Sequence, residues 1–147
     1  MEGLIVSCPQ AWEPWLPPGI RRAEGLRELA ERCWSLLVLT RQGCAAMGDA
    51  AAMCRVLLAP GDWGPLPGGI SAEAVVTYGL SARDSLTLSS LTEPVLCVQR
   101  RLPRPDGGFI EPQEFPLRDL PAPAEEILPL LGVLLLHAPQ TTAPFPW

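Results

Sequence analysis

Covalent chemistry in this sequence would have to start at Cys8. It is a thiol placed directly after the apolar run Gly3-Leu4-Ile5-Val6-Ser7, where a neighbouring cation or a helix N-terminus can lower its pKa and expose a thiolate. A cysteine enzyme also needs a base, and the only histidine, His137, stands near the opposite end of the chain with nothing in the sequence to bring the two together. All eleven basic residues are Arg. The lack of Lys removes the Schiff-base amine, the P-loop lysine and the lysine general base at once.

A second group of residues could bind rather than react. In an open parallel sheet, ligands sit beyond the carboxyl ends of the strands. The polar residues expected there are Thr40 and Arg41, then Asp62, then Ser81 with Arg83 and Asp84. Arg41 and Arg83 could hold an anionic group, and the hydroxyls and carboxylates could fix its orientation. Two functional readings follow. One is a non-catalytic binding or interaction protein taking a small anionic ligand at this rim. The other is a cysteine-dependent enzyme in which Cys8 attacks an anionic substrate held by the arginines.

Neither reading calls for a cofactor or a metal. The five cysteines, Cys8, Cys33, Cys44, Cys54 and Cys97, fit no zinc-ligand spacing and no disulfide framework. They read as reduced thiols. The segment Gly61 to Gly69 holds four glycines but neither the GxGxxG order nor a lysine, and its prolines remove the amide donors a phosphate cradle needs. It reads as a surface turn.

The rim needs strands to form it. Gly3–Ser7, Trp34–Thr40, Arg55–Ala59 and Ala74–Leu80 are short apolar runs that predict buried strands. Between them, Ala23, Leu26, Leu29, Ala30 and Cys33 recur at helical spacing from Arg22 onward, and Gly43–Cys54 is an Ala- and Met-rich run that also reads as a helix. Strands alternating with helices predict βαβ units around a parallel sheet. Ile70–Glu73 reads as one helical turn, and the proline-rich stretch from Cys8 to Gly19 as an extended loop. Trp12 and Trp15 in that loop could form a lid or fold back over an apolar edge, and Trp63 invites the same two readings.

After Leu80 the pattern changes. Ser85–Leu91 and Val95–Leu102 alternate as an antiparallel hairpin, and Pro105-Asp106-Gly107-Gly108 is a turn that can return Phe109–Leu117 as a third strand. The two prolines of that strand put it at a sheet edge. A helix over Ala124–His137 follows, with His137 near its C-terminus where a positive charge suits the dipole. The expected fold is therefore a three-layer, Rossmann-like α/β domain over 1–147. It comprises a βαβ half (1–84), an antiparallel meander (85–117), a linker and helix (118–137) and an extended tail (138–147).

Composition narrows the partners. The 147 residues are 48% hydrophobic and 18% charged, with a formal net charge of −5. That is a globular composition whose sign repels a phosphate backbone, so nucleic acid is not an expected partner. The apolar run Ile127–Leu136 is too short to span a bilayer, and the acidic start Met-Glu-Gly is not a secretion signal. A cytoplasmic protein is expected. Tail residues Pro144-Phe145-Pro146-Trp147 are apolar enough to dock on their own domain or on a second copy, and self-association could also use the meander edge.

The stretch Val56-Leu57-Leu58-Ala59-Pro60-Gly61-Asp62, followed by Val76-Thr77-Tyr78-Gly79-Leu80-Ser81 and then a meander, resembles the later part of the central domain of Mur-type peptide ligases. The resemblance covers residues 55–117 at most. It implies a similar arrangement of strands, and a degenerate relative without ATP-dependent ligation, since the family's P-loop and its lysines have no counterpart here. No catalytic residue carries over.

Overall fold

The computed structural model describes residues 2–138 and 144–147. Six strands run parallel: β1 (Gly3–Val6), β2 (Ile20–Arg22), β3 (Cys33–Leu39), β4 (Ala52–Pro60), β5 (Ile70–Tyr78) and β6 (Leu86–Leu88). β7 (Val95–Val98) is antiparallel to β6, and β10 (Gln113–Pro116) is antiparallel to β7. Together they form one eight-stranded sheet in the order β10-β7-β6-β5-β4-β3-β1-β2. A separate hairpin, β8 (Leu102–Pro103) with β9 (Phe109–Ile110), is built on the Pro105–Gly108 turn. The helices are α1 (Leu26–Leu29), α2 (Arg41–Met47) and α3 (Leu128–His137), and a 3-10 segment spans Gln10–Trp15. The architecture is the expected three-layer α/β fold, a mainly parallel sheet extended by a meander and closed by a C-terminal helix. No helix among the described residues is long and apolar enough to cross a membrane.

Alternation along the strands supplies both faces. Leu4, Val6, Leu37, Leu39, Leu57 and Ala59 pack with Leu29 of α1 and with Cys44 and Met47 of α2. Ile5, Leu36, Val38, Val56, Leu58 and Val76 pack with α3. The alternation slips once, along a line. Pairing skips Ser35, Arg55 and Glu73 on three adjacent strands, with Trp34, Cys54 and Ala72 on the α2 side and Leu36 and Val56 on the α3 side just beyond. Consecutive residues Arg55 and Val56 line one cleft, as do Glu73 and Ala74. The skipped residues lie opposite one another, so the register is kept across all three strands.

α3 is apolar on every side, and all of Leu128–Leu136 are buried. A helix of that kind needs cover all round. The sheet covers one side. Trp12 and Trp15 of the 3-10 segment, Leu102 and Ile110 of the small hairpin, and Phe145 and Trp147 of the tail pack into or against the same cluster.

Several expectations need correction. The helix expected over 22–33 shrinks to Leu26–Leu29, because Gly25 sits extended at its start and Ile20–Arg22 are drawn into the sheet beside β1. The Ala- and Met-rich helix ends at Met47, where Gly48 turns out at φ 52°, and β4 begins three residues before the run at Arg55. Ile70–Glu73 is no helical turn but the first half of β5, in which Ile70, Ser71 and Ala72 pair with Ala52, Met53 and Cys54 of β4.

Candidate functional site

The strand order β2-β1-β3-β4-β5 has a reversal. The chain leaves β1 toward β2 on one side and then crosses to β3 on the other, so a crevice opens beyond the ends of β1 and β3, where such sheets bind ligands. Here it is a cavity of about 340 Å³ walled by Ser7, Trp12, Thr40, Arg41, Tyr78 and Glu125, with Glu126 at its margin. A smaller pocket of about 180 Å³ adjoins it at the ends of β4 and β5, sharing Arg41, Tyr78 and Glu125 and adding Asp62.

Each wall has a physical reason. Thr40 caps α2: its hydroxyl accepts the Gly43 N–H at 2.9 Å and lies 3.1 Å from the Val6 carbonyl and 3.2 Å from that of Ser7. Its hydroxyl is thereby occupied in joining the ends of β1 and β3. Tyr78 is buried, and its hydroxyl donates to the Leu39 carbonyl at 2.8 Å. Burial raises its pKa, so it stays a neutral phenol. Ser7 holds a φ of 56°, a conformation L-residues rarely adopt. The one other non-glycine residue in that region among those described, Asp119, also lies on this edge of the sheet.

The charged residues are Arg41, Asp62, Glu125 and Glu126. Arg41 pairs with Asp62 in an ion pair whose side chains are 58% and 59% exposed, so the pair adds little to stability and can be exchanged for another partner. Glu125 and Glu126 make no ion pair among the described residues. They arrive from the segment that follows the meander, which runs along the whole edge of the sheet. Its earlier residues Leu120, Ala122, Pro123 and Ala124 wall a larger cleft of about 650 Å³ against the β6–β7 loop, with Glu93, Arg118 and Asp119 also in its lining.

The expected rim residues therefore divide. Thr40, Arg41 and Asp62 come together at the crevice. Ser81, Arg83 and Asp84 do not. Asp84 is buried and accepts the Ser81 N–H at 3.1 Å. A Cβ on Gly61 would fall 1.7 Å from its Oδ1, and one on Gly79 2.4 Å from its Oδ2, so the two glycines exist to admit this carboxylate. Gln99 then donates to the Asp84 carbonyl at 2.9 Å, and Arg100 to that of Arg83 at 2.7 Å. The 81–84 turn is a structural knot joining β5 to β7.

Cys8 is half-buried against the core. Burial pushes its thiol up to about 11, an effect Arg22 opposes and Glu13 reinforces, and the thiol points at the Pro9 carbonyl 3.4 Å away. It is a protonated thiol at neutral pH, without the activation a nucleophile needs. His137 offers no help: burial lowers its pKa while a hydrogen bond to the Pro18 backbone acts the other way, and it is neutral at pH 7. The charge at the α3 C-terminus comes instead from Arg104, whose buried guanidinium donates to the carbonyls of Leu135, at 3.4 Å, and Ala138. Among the described residues, no group of His, Cys, Asp and Glu is arranged to hold a metal ion.

Sequence reasoning missed Tyr78, Glu125 and Glu126 as crevice residues, and offered Trp12 as a lid or a cover for an apolar edge. Tyr78 was legible as the end of a strand, but nothing local marks a glutamate pair before α3 as facing β3. No family model matches the chain, and no curated protein and no solved structure matches it.

Proposed function

We propose that this is a non-catalytic binding protein that holds a small ligand in the crevice between the ends of β1 and β3. The observation that carries the reading is the convergence there, from distant parts of the chain, of an exchangeable guanidinium, two carboxylates without an ion pair among the described residues and an aromatic wall. The cavity, at about 340 Å³, lies at the small end of the range for ligand sites. The lining does not favour a purely anionic ligand. Arg41 is already neutralised by Asp62, and Glu125 and Glu126 would repel a second anion. A ligand with an anionic group for Arg41 and a cationic group for the glutamates, such as an amino acid, fits the charges better.

The setting that best agrees with five free cysteines is a reducing one, and this supports a cytoplasmic protein. A parallel strand at Val76–Tyr78 followed by an antiparallel meander supports reading residues 55–117 as a degenerate Mur-type remnant, with no ligase residue in it.

A thermal-shift screen with amino acids, nucleotides, nucleotide sugars and simple anions tests the proposal. A ligand at 100 times its Kd adds about 2.7 kcal/mol, which moves the midpoint by several degrees. The expected result is a shift with zwitterions that Arg41→Ala and Glu125→Gln each remove. A shift that survives both changes places the ligand elsewhere. A cysteine enzyme would instead carry one thiol that reacts fast near neutral pH and is lost in Cys8→Ser.

A further inference from the structure

The crevice and the pocket beside it are two compartments with a common wall. Arg41, Tyr78 and Glu125 line both, Glu126 lines only the larger, and Asp62 only the smaller. A single guanidinium therefore stands between carboxylates on either side. Apart from Asp62 and the shared residues, the smaller pocket is walled by Pro60, Gly79, Leu80 and Leu128, which carry no charge. A void of about 150 Å³ admits a molecule the size of benzene. The smaller pocket, at about 180 Å³, has room for an amino-acid side chain.

The Arg41–Asp62 pair decides what kind of side chain. An anion that takes Arg41 alone strands Asp62 beside Glu125 in the same pocket, where like charges repel. A ligand that brings an anion to Arg41 and a cation to Asp62 gives both groups a new partner. The total charge points the same way. Across the two compartments one positive side chain faces three negative ones. An amino acid with an uncharged side chain leaves that excess as it is, and one with a cationic side chain halves it.

On the reading of the crevice as a ligand site, on which this step rests, we infer that the ligand is a basic amino acid whose side chain occupies the smaller pocket. Its carboxylate takes Arg41, its α-ammonium lies between Glu125 and Glu126, and its side-chain cation meets Asp62. The apolar stem of the side chain runs past Leu80 and Leu128, as the stem of a lysine or arginine does on a protein surface.

Isothermal titration calorimetry of the full-length protein with L-lysine, L-norleucine and cadaverine tests the assignment. Norleucine keeps the α-groups and the unbranched chain of lysine and lacks its terminal ammonium, whereas cadaverine is lysine without its carboxylate. Lysine is expected to bind at least about tenfold more tightly than either, the factor that one charge-assisted hydrogen bond supplies. Asp62→Asn should erase the advantage of lysine over norleucine without weakening norleucine, because it also releases Arg41. Equal binding of lysine and norleucine, both lost in Arg41→Ala, overturns the basic class and leaves the crevice as an amino-acid site. Cadaverine binding as tightly as lysine overturns the role of the carboxylate and with it the amino acid. A lysine preference that survives Asp62→Asn overturns the smaller pocket as the seat of the side chain. Binding by none of the three overturns the inference, and the thermal-shift screen then decides the crevice reading separately.

Discussion

Two arginine–aspartate pairs, at opposite ends of the molecule, use the same chemistry for different ends. At the crevice, Arg41 and Asp62 are both more than half exposed and hold each other in water. At the end of α3, the Arg104 side chain is 4% exposed and spends its guanidinium on two helix carbonyls as well as on Asp106, 3.3 Å away. Charge in water is exchangeable and charge in the interior is not. The difference explains why the first pair suits ligand capture and the second fixes the helix that closes the core.

The contrast can be broken most directly at the buried member. Arg104→Leu leaves the Leu135 and Ala138 carbonyls without their donor, and about 3 kcal/mol of stability should be lost in a urea melt. A loss below about 1 kcal/mol would mean that the clamp is ornamental. Next is the buried acid of the 81–84 turn, Asp84. Gly61→Ala drives a methyl into the Asp84 carboxylate, and overpacking of this kind costs about 1–3 kcal/mol, again read from denaturant melts.

Smaller effects sharpen the comparison. Thr40→Val removes the α2 cap and its link to β1 and should cost about 1 kcal/mol. Arg41→Gln should change stability by less than about 0.5 kcal/mol while abolishing the ligand response, a separation that Arg104 cannot show. The buried pair also responds to acid. The Gly108 N–H, followed by the Arg104 charge, holds the Asp106 carboxyl below the usual range against the opposing pull of burial. A depressed carboxylate stabilises the fold above its unfolded pKa and loses that contribution as pH falls through the folded value. Asp106→Asn should therefore flatten the acid limb of the stability curve, most visibly below about pH 4. The smallest signal is at Cys8, whose alkylation should stay slow at neutral pH and accelerate only toward about pH 11.

The fold was legible where burial alone decides. β1, β3 and the β6–β7 hairpin form where their apolar runs predict, whereas the expected strand Phe109–Leu117 divides between β9 and β10 and the expected helix over Ala124–His137 begins only at Leu128. The reading failed where tertiary pairing overrides local pattern. Arg22 looks like the start of an amphipathic helix until β1 offers an open edge to Ile20–Arg22, and Ala52–Cys54 looks helical until β3 and β5 flank it. The crevice was half legible for the same reason. Thr40, Arg41 and Asp62 follow strand ends and land where strand ends meet, but Glu125 comes from a segment whose path is set by the meander. Asp84 was read as a free carboxylate because nothing in sequence announces that two glycines far apart in the chain are making room for it. The edge expected to self-associate is only four residues long and bracketed by Pro112 and Pro116, which blunts it against further strand pairing.

The all-round apolar character of α3 bears on how the chain comes off the ribosome. The parallel part of the sheet is complete once Leu88 has been made, yet the helix that covers Ile5, Leu36, Val38, Val56 and Leu58 begins only at Leu128, about forty residues later. At about 5–20 residues per second, that face waits several seconds without its lid. Newborn chains therefore present a bare β surface until α3 has been made.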